Sequence, residues 1–109
     1  MAAQRPEGAV DFGYLEGFAA GDRTVVREVL AMFGQQAALW ARGLDAGDPG
    51  WRDVVHTIKG AARGVGANAL GDACAACEAA GEGDLPTVRG ALAAAVADIA
   101  AYLARPQAS

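Results

Sequence analysis

Between Asp11 and Leu103 apolar residues return every third or fourth position, in segments parted by links only a few residues long. The links are Gly21-Asp22, the run DAGDPG from Asp45, GVGAN from Gly64 and GEGD from Gly81. A period near 3.6 marks helices that bury one face, and links this short turn each helix back antiparallel to the one before. Alanine fills these segments in place of Val, Ile, Thr and aromatic residues, which make up only 6% of the chain for Phe, Trp and Tyr together, so no stretch reads as a strand. The pattern predicts an all-α fold: an antiparallel up-down four-helix bundle with a short additional N-terminal helix. A chain of 109 residues holds one such core and no second domain.

The short first helix is expected over about Asp11–Ala20. The second starts at an Asp22 cap and ends near Leu44, with Val25, Val26, Val29, Phe33, Trp40 and Leu44 at helical spacing. The third takes Asp48 as its cap and Pro49 at its first position, and runs to about Gly64. The fourth spans about Asn68–Ala80. The fifth begins at Asp84 and Pro86 and carries Leu85, Val88, Leu92, Val96, Ile99 and Leu103 on one stripe. Residues 1–10 and 106–109 lack periodicity and read as flexible tails around a bundle at 11–105.

Charge and composition remove several classes of function. Nine Lys and Arg against thirteen Asp and Glu leave a net charge of −4, the wrong sign for binding a phosphate backbone, so nucleic acid is not an expected partner. The N-terminus MAAQRPEGAV has no apolar signal core, and the most apolar tract, ALAAAVADIAAYLA from Ala91, is short, alanine-heavy and broken by Asp98. A cytoplasmic protein with no membrane association is expected, as a monomer. Cys74 and Cys77 stand three residues apart on one helix, too close for a relaxed disulfide, and are expected as reduced thiols.

The stretch VVHTIKGAARGVG from Val54 holds the only histidine and the only lysine of the chain. At 100° per residue, Val54, Val55, Ile58, Ala61, Ala62 and Val65 gather within about one third of the third helix's circumference and form its core face. His56 falls about 160° from the centre of that arc, so its ring is expected in solvent rather than in the core. Arg52, Lys59 and Arg63 share the outward side and surround the imidazole with positive charge. Gly60, one turn after His56, leaves the space over the ring open, although a mid-helix glycine costs roughly 0.5–1 kcal/mol relative to alanine. An exposed imidazole is largely neutral near pH 7 and carries a nucleophilic ring nitrogen that can accept a phosphoryl group; Lys59 is placed to give charge-assisted hydrogen bonds to the product.

The run HTIKGAARGVGANAL followed by CAACE resembles the signature of histidine-containing phosphotransfer (HPt) domains of two-component phosphorelays. The matching positions are His56, Lys59, Gly60, Ala61, Ala62, Gly66 and Leu70. The resemblance implies that His56 takes a phosphoryl group from a receiver-domain aspartate, or from a sensor (hybrid) histidine kinase, and relays it to a response-regulator receiver domain. It also implies that Glu78, twenty-two residues after the histidine, hydrogen-bonds the imidazole, holding Nδ1–H and leaving Nε2 as the phosphorylated atom. Arg63 is expected, with Lys59, Gly60 and Glu78, to shape the site, at a position where the family is variable, so the resemblance leaves its contact with phosphate open. No cofactor of the chain's own is expected; Mg²⁺ belongs to the partner receiver domain.

Other constellations read as structure. Cys74-Ala-Ala-Cys77 lacks the four ligands of a zinc site and the preceding strand of a redox motif, and both thiols lie on the apolar stripe with Leu70. Phe33, Trp40 and Trp51 read as packing residues, and Asp45 and Asp53 as solvated surface, so no metal site is expected. Nothing resembles a nucleotide-binding loop, so the chain is expected to be a phosphocarrier without autokinase activity. Two other functions fit the residues alone: a helical adaptor in which His56 is incidental, and a kinase-linked phosphoacceptor domain.

Overall fold

The computed structural model describes residues 9–105. Its helices are α1 (Phe12–Phe18), α2 (Arg23–Gly43), α3 (Trp51–Val65), α4 (Asn68–Ala80) and, after a single 3-10 turn at Glu82–Asp84, α5 (Leu85–Ala104). The described residues contain no strand. The fold is the all-α bundle read from the periodicity: α2 packs on α3 and α5, and α4 on α3 and α5, closing a ring of four.

The core is built from the inward stripes of these four helices. Val26, Leu30, Phe33 and Ala37 come from α2, Val55, Ile58 and Ala62 from α3, Leu70, Cys74 and Cys77 from α4, and Val88, Leu92, Ala95 and Ile99 from α5. Each Leu, Ile or Val removed from water in this way contributes about 1.5–3 kcal/mol. α2 starts where its Asp22 carboxylate accepts from Val25 N–H at 3.2 Å, the expected cap.

Three expectations are corrected by the structure. The third helix begins at Trp51 with Gly50 as its cap, two residues later than expected. The Asp48 carboxylate accepts from Gly50 N–H at 2.8 Å, and the Asp45 carboxylate from Gly47 N–H at 2.9 Å. DAGDPG thus folds as two successive side-chain-closed turns, and these turns take the carboxylate that a helix cap would have used. Val25 is 42% exposed and lies outside the core stripe of α2. On α5, Val96 and Leu103 are only partly buried while Ala95 and Tyr102 are fully so.

The fold also begins earlier than residue 11. Val10 is buried, and its N–H donates to the Asp98 carboxylate at 3.0 Å. The rest of the expected N-terminal tail, 1–8, and the expected C-terminal tail, 106–109, lie outside the described residues. α1 covers the end of the bundle where α3 and α5 finish. Phe12 stacks on Tyr102 with ring centroids 4.3 Å apart, and the Tyr102 hydroxyl donates to Glu16 Oε2 at 2.7 Å. That partner is why a tyrosine is tolerated at a buried position of α5.

The segment Glu82–Ala104 is long and apolar enough to cross a membrane, with a mean hydropathy of 1.4 over its best window. Alanines supply much of that value, and its larger side chains Leu85, Val88, Leu92 and Ile99 are buried in the bundle.

Candidate functional site

Amphipathicity of α3 decides where the histidine points. Val55 and Ile58 are fully buried, and the rotation of 100° per residue carries the intervening His56 out of the core. Its side chain is 72% exposed, as the helical phase predicts. The ring is nevertheless fixed: Nδ1 lies 2.9 Å from Glu78 Oε2, and the other carboxylate oxygen, Oε1, lies 2.5 Å from Lys59 Nζ. One carboxylate therefore holds both the only imidazole and the only lysine ammonium of the chain.

These contacts set the protonation pattern. The hydrogen bond from Lys59, and next the one from His56, hold the Glu78 carboxyl below its ordinary value. Glu78 is ionised near neutrality and has no proton to give, so Nδ1 carries the hydrogen and donates it. Nε2 is left as the lone-pair nitrogen of the neutral ring, without a partner among the described residues.

Glu78 reaches α3 because α4 runs antiparallel to it with Leu70, Cys74 and Cys77 buried; the next residue after Cys77 lies at the border of that stripe. Arg52 fixes the same end of α4. Its guanidinium lies over the Trp51 ring, 4.6 Å from the centroid, and donates to the Glu78 carbonyl at 3.2 Å. The sequence placed Arg52 only within a basic stripe. Its acceptor is a backbone carbonyl on another helix, for which no side-chain pattern exists.

Of the other residues singled out, Gly60 stands one turn after His56 on α3, and a Cβ there would meet nothing within 4 Å. Lys59 is not a free cation: its side chain is only 22% exposed and its ammonium is turned onto Glu78. Arg63 stands apart from the His56–Glu78–Lys59 group. Its stem lies against Gly71 of α4. Cys74 and Cys77 are packing residues, both with no exposure; burial, and then the neighbouring Cys77 and Glu78, push the Cys74 thiol up to about 11.

A bundle that displays its one imidazole on an open surface, with one ring nitrogen held by a carboxylate and the other bare, defines a class of helical carrier that offers a nucleophile to a partner instead of enclosing a substrate. The Hpt domain family model matches residues 26–105. The crystal structure of the histidine phosphotransferase ShpA from Caulobacter crescentus is similar at a TM-score of 0.81 and 66% identity, over 87% of this chain and 90% of that one. None of the curated proteins matches. The chain belongs to the Hpt family, and its role is histidine phosphotransfer in a phosphorelay. Proteins of this family partner with histidine kinases and receiver domains.

Proposed function

We propose that His56 is the phosphoacceptor, and that Nε2 takes the phosphoryl group from a receiver aspartate or a kinase and passes it to a receiver aspartate. The observation that carries this reading is the 2.9 Å hydrogen bond from Nδ1 to Glu78, which leaves Nε2 as the bare nitrogen on a 72% exposed ring. In the accepting step the Nε2 lone pair attacks phosphorus in line, a P–N bond forms, and the P–O bond to the donor aspartate breaks with its electrons leaving on the carboxylate. The ring gains positive charge as the bond forms, and the Glu78 carboxylate beside Nδ1–H stabilises it. The return step runs the same path backwards.

The product carries roughly −1.5 to −2 charge if it resembles other protein phosphates, and Lys59, held on the same carboxylate as the ring, is the cation that meets it. Lys59 is already paired with Glu78, so its exchange toward the phosphoryl group alters rate and orientation more than stability. Gly60 keeps the approach to the ring clear for the partner. The charge of the transferred group is neutralised by Mg²⁺ of the receiver. The chain acts as a cytoplasmic monomeric carrier and does not phosphorylate itself from ATP.

The test is to incubate the protein with a phosphorylated receiver domain and, separately, with a histidine kinase and labelled ATP, with His56→Gln as control. Acid-labile label is expected on the native protein from the receiver and none on His56→Gln. Label that persists in the variant would remove His56 as acceptor. Label from the kinase alone would make this a kinase-linked phosphoacceptor.

A further inference from the structure

Gly71 occupies the interior of α4, a helix in which alanine fills six of thirteen positions, so a residue that weakens helices stands where the better one was freely used. The structure supplies a reason. A Cβ at Gly71 would come within 3.1 Å of Arg63 Cγ, 3.3 Å of its Nε and 3.8 Å of its Cδ. Three successive atoms of the arginine therefore lie flat on the α4 backbone, and they bury Gly71 from solvent. Seating the stem in this way removes much of the freedom that a long exposed side chain ordinarily keeps.

Four of the other arginines spend their heads inside the fold, while Arg23 and Arg42, like Arg63, have no hydrogen-bond or ion-pair partner among the described residues. Arg27 donates to the Leu103 carbonyl, Arg52 to the Glu78 carbonyl and Arg89 to the Leu44 carbonyl, and Arg105 lies over the Tyr102 ring. The Arg63 guanidinium has no hydrogen-bond or ion-pair partner among the described residues, although its stem is held. It stands seven residues after His56 on α3, and Gly71 stands seven before Glu78 on α4. On both helices that is about 10 Å along the axis. The seat of the arginine is thus two helical turns from the imidazole, within the footprint of about 800 Å² that a docked protein covers.

We propose that Gly71 positions Arg63 as a docking cation, which pairs with a carboxylate on the receiver domain about 10 Å from its phosphoryl-transfer aspartate. The proposal rests on His56 being the acceptor. Arg63 takes no part in bond making; it speeds and selects the encounter with receivers that carry the matching acid.

The experiment loads His56 with phosphoramidate, a small donor that needs no docking. The phosphoryl group is then drained into the receiver domain that accepts it fastest, over a range of receiver and salt concentrations. Native protein is compared with Arg63→Ala, Arg63→Lys, Gly71→Ala and the Arg63→Ala/Gly71→Ala double variant. For Arg63→Ala, transfer kcat/KM is expected to fall about fivefold to tenfold at low salt, with the gap closing as salt rises, while kcat at saturating receiver, Tm and phosphoramidate loading stay unchanged. Gly71→Ala lowers kcat/KM in the native background and has no further effect once Arg63 is alanine; Arg63→Lys restores part of the salt dependence. An unchanged kcat/KM for Arg63→Ala, or a loss with the same salt slope as the native protein, would overturn the docking role. Equal losses in loading and in receiver transfer would overturn it as well, by making Arg63 a ligand of the phosphoryl group. Failure of the native protein to load at all would instead strike down His56 as acceptor, and with it the site beside which Arg63 stands.

Discussion

In the proposed role His56 needs little from its own protein: the Glu78 carboxylate on Nδ1, the Lys59 ammonium on the same carboxylate, and a Gly60 whose Cβ position is open. Because nothing lies within 4 Å of a Cβ at Gly60, Gly60→Ala introduces no clash and removes only the helix penalty. Denaturant unfolding should show Gly60→Ala more stable by about 0.5–1 kcal/mol, while its phosphotransfer to a receiver is slower, because the added methyl narrows the partner's approach. An equally fast alanine variant would remove the steric role. The sign for Glu78 follows from its lowered pKa, caused first by Lys59 and then by His56. The unfolded chain binds the proton more readily than the folded one, so the stabilisation is fully present above the ordinary carboxylate value of 4.5 and is lost as pH falls through the lowered folded value. Urea melts from about pH 7 down to about pH 3 should therefore show Glu78→Gln less stable than the native protein near neutrality, with the difference vanishing in acid. A gap that widened on acidification would contradict the ion pair. The glutamine retains an acceptor for Nδ1–H and should transfer faster than Glu78→Ala.

Among the helices, α3 carries the site and its two ends decide how it is held. At its start, Arg52 bridges Trp51 and the Glu78 carbonyl, so the segment that supplies the carboxylate is tied to the segment that supplies the imidazole. At its end, Gly66 adopts φ +82 and its carbonyl accepts from Asp11 N–H at 2.8 Å, joining α3 to the start of α1. A Cβ on Gly66 would meet the Asp11 carbonyl oxygen at 2.7 Å as well as being strained at that φ. Gly66→Ala should cost about 1–3 kcal/mol in denaturant unfolding and loosen α1, seen as faster amide exchange at Asp11 and Tyr14. An alanine variant with native stability would show that the α1 junction yields without loss. Glycines at 60, 66 and 71 look alike in the sequence, yet one leaves space, one turns the chain and one seats an arginine.

At the scale of the whole molecule, the buried thiols report the bundle's cooperativity. Cys74 and Cys77 have no exposure, and burial pushes the Cys74 thiol up to about 11. A thiol reagent should label neither in the native protein, and labelling should follow unfolding of the whole bundle as denaturant is raised; earlier labelling would reveal local opening of α4. The same whole-molecule view separates what was legible in the chain from what was not. Helix number, the outward phase of His56 and the inward phase of the two cysteines all depend on the 3.6-residue repeat, which acts within one helix and is written in its spacing, whereas the pairing of Glu78 with the ring was legible only through the family resemblance. The Asp48 turn, the burial of Val10 and Tyr102, the capture of Lys59 by Glu78, the Arg52 bridge and the seat of Arg63 on Gly71 are contacts between segments far apart in the chain, or choices between rival hydrogen bonds for one carboxylate. Their energies depend on how close two backbones come, and only the packed bundle sets that distance.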